Sequence, residues 1–81
     1  MSKEKYSEFT QENLKKIGER LRQLRKDRGY SDYNNFAYEH NFGRSQYWRY
    51  ENGQDLNVST LLRLIEVHGM TVPEFFSDGF A

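Results

Sequence analysis

The side chains best suited to chemistry lie together in GRSQYWRYENG, residues 43–53. On a helix each residue advances by about 100°. Ser45, Arg49 and Asn52 then share one side, with Arg44 and Trp48 on its flank, and Tyr47, Tyr50 and Glu51 share the other. Two guanidiniums, a hydroxyl and an amide form a set of donors of the kind that meets base edges and phosphates. An arginine can bond guanine O6 and N7 through two donors at once. Gln46 adds a second amide beside them. The aromatic side is suited to packing, so Tyr47 and Tyr50 are expected in the core. Trp48 is expected to point outward, where it can stack on a sugar or a thymine methyl, or anchor a partner protein.

No comparable set supports catalysis. The chain has no Gly-rich phosphate loop, no G-x-S-x-G, no H-E-x-x-H and no cysteine. His40 and His68 are far apart in sequence and have no cysteine to join them, so a zinc site is not expected. A small helical domain also leaves little room for a buried pocket. The expectation is a protein that is not an enzyme, with no metal, no cofactor and no evident small-molecule ligand.

The elements that must hold this stretch are legible from periodicity and punctuation. Leu14, Ile17, Leu21 and Leu24 recur at spacings of three, four and three, one stripe of a first helix over 10–28 that stops at Gly29. Residues 1–9 read as a flexible arm. Ser31 can cap a second helix over 31–41, with Phe36 and Ala37 facing inward. Asn41 tolerates positive φ, so HNFGR reads as a tight turn. The third helix spans 44–52 and ends at Gly53. Asn57 can cap a fourth over 58–68, with Val58, Leu61, Leu62 and Ile65 on one face and Gly69 at its end. Thr71 and Glu74 fit a capping box opening a fifth helix over 72–77, with Pro73 in its first turn. No stretch alternates with period two over the length of a strand. The reading is all-α: five helices, one domain of 81 residues.

Composition sets outer bounds. A chain this short buries only roughly 60% of its unfolded surface, so its core must be compact. The N-terminal residues lack the apolar run of a signal peptide, LLRLIEV is broken by Arg63 and Glu66, and there is no cysteine to pair. A soluble cytoplasmic protein without membrane contact is expected. Net charge is zero, but it is unevenly spread: residues 1–49 hold eleven Lys/Arg and seven Asp/Glu, whereas residues 50–81 hold one and five. Such asymmetry suits one surface that attracts a polyanion and another that does not.

IGERLRQLRKDRGYS, then FAYEHNFGRSQYWRYENG, then TLLRLIEVHGMTVPEFF resembles the helix-turn-helix regulators of the Cro and phage-repressor type, the XRE family, in a small single-domain bacterial form. The resemblance covers residues 14 to 76. It implies a compact, lambda-repressor-like five-helix domain that binds double-stranded DNA as a homodimer and acts as a transcriptional regulator, a repressor above all, with its third helix in the major groove. By position, Arg44, Ser45 and Arg49 match base-reading residues, with Gln46 and Trp48 beside them. Asn52 matches a phosphate contact, and Tyr33 and Arg20 are further phosphate candidates. Glu51 matches an acid that pairs with an arginine of the first helix, here Arg25. Ala37 matches the small residue that lets the third helix approach. Asn41 stands where a glycine is usual, Gly43 where Ser or Thr often caps, and Trp48 where a small or polar residue is common. Of the three C-terminal phenylalanines, Phe75, Phe76 and Phe80, some should close the small core, and any left exposed are the candidate dimer interface. The other reading is a protein–protein module, an antitoxin-like or accessory subunit that uses the same fold as a scaffold.

Overall fold

The computed structural model of the chain describes residues 6–81. Five helices run in order: α1 Glu8–Asp27, α2 Tyr33–Glu39, α3 Arg44–Glu51, α4 Val58–Val67 and α5 Val72–Phe75. No strand occurs among the described residues. The arm expected over residues 1–9 falls partly outside the described residues. Within them it is replaced by ordered chain: the Ser7 hydroxyl accepts from Thr10 N–H at 3.2 Å and starts α1 two residues early. The Tyr6 hydroxyl donates to Asp55 in the α3–α4 loop at 2.7 Å.

Helix ends follow local chemistry, with corrections. The cap of α2 is Asp32 and not Ser31: its carboxylate accepts from Asn34 N–H at 2.9 Å, so α2 is shorter at both ends than the span 31–41. Asn41 does adopt φ 62°, and Phe42 N–H then reaches back to Ala37 O at 2.8 Å. Asn57 precedes α4 in extended geometry but makes no side-chain capping bond among the described residues. Thr71 and Glu74 form both halves of the capping box, at 2.9 and 3.2 Å, yet α5 is a single turn that ends at Phe75, short of residue 77.

The core is made of Leu21, Phe36, Ala37, Phe42, Tyr47, Leu64, Ile65 and Phe75, all buried. Leu24, Leu61, Tyr50 and Phe80 pack around it. The face of α4 differs from expectation. Leu64 and Ile65 are buried, but Val58 and Leu62 are 72% and 46% exposed, because the inward stripe runs through half-buried Leu61 and buried Leu64 and Ile65. Aromatic rings fill the centre. Phe36 lies 5.1 Å from Tyr47, 4.6 Å from His40 and in parallel stacking at 5.3 Å from His68. Burial, helped by nearby Arg28, lowers the His68 pKa to about 4, so its imidazole is neutral at physiological pH.

Arginines fasten the periphery by donating to backbone carbonyls. Arg28 bonds Val67 O at 2.8 Å and ties the end of α1 to the end of α4. Arg63 bonds Asn41 O at 3.1 Å and lies 4.0 Å over the Phe42 ring, holding the left-handed turn before α3. Four of the molecule's cations, Arg20, Arg25, Arg28 and Arg63, thus donate to carbonyls of the chain itself, Arg25 from a buried position and Arg28 and Arg63 from exposed ones.

Candidate nucleic-acid interface

α2 and α3 meet through the turn 40–43, and α3 packs chiefly on α1, with α2 on its other flank. The inner side of α3 is set by Tyr47, Glu51 and half-buried Tyr50. Burial, and then the neighbouring Glu51 carboxylate, hold the Tyr47 phenol well above its ordinary pKa, so it stays protonated. Its hydroxyl completes no hydrogen bond among the described residues.

Glu51 is the anchor. Its carboxylate accepts from Arg25 Nε at 2.7 Å and Nη2 at 2.9 Å, a two-pronged pair with both side chains about 95% buried. Arg25 also donates to Tyr30 O at 2.7 Å, so one guanidinium joins α1, α3 and the α1–α2 loop. Arg22 adds a second cation, its Nε 3.5 Å from the same carboxylate. Removing charges from water costs several kcal/mol per ion, so this cluster fixes geometry more than it adds stability.

The outer side of α3 carries Arg44, Ser45, Gln46, Trp48 and Arg49, all exposed. Trp48 is 47% exposed, its indole partly resting on the protein. Neither Arg44 nor Arg49 gives its guanidinium to a hydrogen bond or ion pair among the described residues, in contrast to the arginines of the periphery. These five side chains therefore form one continuous polar surface with an aromatic flank.

The other candidates separate. Asn52 is exposed just past the end of α3, but its side-chain amide donates to Trp48 O at 2.8 Å, which satisfies a helix-end carbonyl and leaves one N–H for another acceptor. Tyr33 is the first residue of α2 and is half-buried against the core. Arg20 does not join the outer surface. Its Nε donates to Phe75 O at 2.7 Å, its Nη2 to Glu74 O at 3.0 Å, and its Nη1 lies 3.6 Å from Asp78. With its side chain 11% exposed, its guanidinium is committed to the carbonyls at the end of α5.

The C-terminal aromatics are likewise engaged at home. Phe75 is fully buried, and Phe76 and Phe80 pack edge-on at 4.9 Å, with Phe75 4.9 Å from Phe76. Only Phe76 keeps 37% of its surface exposed, so this cluster is mainly core and not a free interface.

One positioning residue escaped the sequence reading. Gly18 is buried within α1 at the crossing with α3. A Cβ there would lie 2.6 Å from Glu51 O and 2.7 Å from Tyr50 O, inside contact distance of backbone. A glycine in the middle of a strong helical pattern, where it costs about 1 kcal/mol against alanine, was the available signal.

Residues 16–75 match the family model described as Helix-turn-helix domain. No curated protein and no solved structure matches the chain. No helix among the described residues is long and apolar enough to cross a membrane. The match spans well over half of the sequence and contains the whole of α2, the turn and α3, so the chain belongs to the helix-turn-helix domain family, a class of DNA-binding domain.

Proposed function

We propose that this protein is a sequence-specific regulator of the Cro and phage-repressor type, which places α3 in the major groove of duplex DNA and represses transcription. The observation that carries the reading is the sorting of arginines. The fold commits the guanidiniums of Arg20, Arg25, Arg28 and Arg63 to hydrogen bonds with its own chain, whereas those of Arg44 and Arg49, on the outward side of α3, make none among the described residues. In that role Arg44, Ser45, Gln46, Arg49 and Trp48 contact base edges, with Asn52, Tyr33 and lysines of α1 at phosphates. A domain this small covers little DNA, so two copies on half-sites about one helical turn apart are part of the proposal, as is action in the cytoplasm.

Selection from a random duplex pool tests it. A recovered motif with two-fold symmetry, bound less tightly as salt rises, supports the reading. Recovery of no motif rejects it. A specific observation then favours a protein-binding module: Val58 and Leu62, four residues apart on α4, are exposed apolar side chains that the fold leaves uncovered.

A further inference from the structure

Glycine is among the poorest residues for a helix interior. Gly18 nevertheless sits mid-way along α1, fully enclosed, where the end of α3 crosses it. We propose that Gly18 is a positioning residue for DNA reading: its missing side chain sets the seat of α3, and through it the presentation of Arg44, Ser45 and Arg49. The functional half of this inference rests on the DNA-reading proposal above.

The contacts leave little choice. An added Cβ would meet Glu51 O at 2.6 Å, Tyr50 O at 2.7 Å and the Glu51 carbonyl carbon at 2.9 Å. These are backbone atoms, so no rotamer change relieves the clash, and the end of α3 itself has to recede. The Glu51 side chain resists, because Arg25 holds it at 2.7 and 2.9 Å from the same helix that carries Gly18. A helix pushed at its backbone and held by its side chain tilts. α3 has eight residues, about 12 Å of lever, and Arg44 stands at the far end. Base readout needs hydrogen-bond geometry, which a shift of about 1 Å spoils, whereas attraction to phosphates hardly depends on it.

Gly18→Ala tests this beside a control, Gly69→Ala. Gly69 has φ +68° and nothing within 4 Å of an added Cβ, and it lies between α4 and α5, so the control strains the chain without touching α3. Trp48 is the sole tryptophan and stands on α3, so its emission and quenching report the seat of that helix without DNA. The expected result is an altered Trp48 signal in folded Gly18→Ala and a wild-type signal in Gly69→Ala. On DNA, preference for the selected duplex over a scrambled one should fall about tenfold in Gly18→Ala, with the scrambled affinity and salt slope held within about twofold. Gly69→Ala should keep the preference. If Gly18→Ala melts too low, both readings are taken in trimethylamine N-oxide, which favours the compact state. An unchanged Trp48 signal with unchanged preference overturns the inference, as does an equal loss in the control. If wild type prefers no sequence, the DNA-reading proposal fails, and the Trp48 signal alone decides whether Gly18 seats α3.

Discussion

The two ends of α3 are built in opposite ways. At its C-terminal end, the backbone of Tyr50 and Glu51 rests on Gly18, Glu51 is bonded twice by Arg25, Arg22 stands 3.5 Å away, and Asn52 caps Trp48 O before the chain leaves through Gly53 at φ +85°. At its N-terminal end, Gly43 has no side chain to cap with, and Arg44, Ser45 and Gln46 stand exposed. Under the proposed function, this difference would let a short helix serve as a reading element. One end is over-determined by buried contacts, so the helix has a fixed position. The other is bare, so its donors remain unspent for a partner.

The inner seat should be the costlier one to break. Tyr47→Ala removes a fully buried ring that touches Phe36 and Phe42, and should destabilise the domain by about 3–5 kcal/mol in a melting experiment. Trp48→Ala, one residue away, should cost less than about 1 kcal/mol, since the indole is half in solvent. Equal losses would mean that the two sides of α3 are not distinct. Next comes the ion cluster. Glu51→Ala leaves the Arg25 guanidinium buried without its carboxylate and should cost about 3 kcal/mol, against about 1 kcal/mol or less for Arg22→Ala, whose side chain is 42% exposed. Similar values for both would place Arg22, not Arg25, as the main holder of α3.

The bare end should give the smallest change, and with opposite sign. Gly43 has φ −62° and ψ 136°, which any residue adopts, and an added Cβ comes no closer than 3.7 Å to the Gln46 side chain. Gly43→Ser should therefore stabilise the domain, by about 0.5–1 kcal/mol, by supplying the missing cap and stiffening the unfolded chain. A lower melting temperature would show that the N-terminal end of α3 is already constrained by something other than its cap.

What sequence made visible follows the same division. The stripe of α1, the turn at Asn41, the capping box at Thr71 and the inward Tyr47 are local patterns, and each is found in the structure. The misread features depend on partners distant in sequence. Arg20 looks like any surface cation until α5, some 55 residues later, presents its carbonyls. Val58 and Leu62 fit a helical stripe as well as Leu64 does, and only the packing of α4 decides which apolar residues go inside. The C-terminal phenylalanines could close a core or bind a partner, and composition does not distinguish the two. Gly18 carries no side chain to read, and its importance lies in the backbone that crosses it.

The central claim of the proposed function is that the exposed arginines of α3 read bases while the buried Arg25 of α1 holds the helix. The direct measurement is a binding titration of Arg44→Ala and Arg49→Ala on the selected duplex and on single base-pair variants, with Lys15→Ala as the phosphate-type control. Each α3 variant should lose about 1–3 kcal/mol on the selected duplex and lose preference at particular base pairs, with melting unchanged. Lys15→Ala should weaken all duplexes alike and lower the salt slope by about one unit. Arg44→Ala and Arg49→Ala variants that keep the full sequence preference would contradict the account, because α3 would then not be the element that reads.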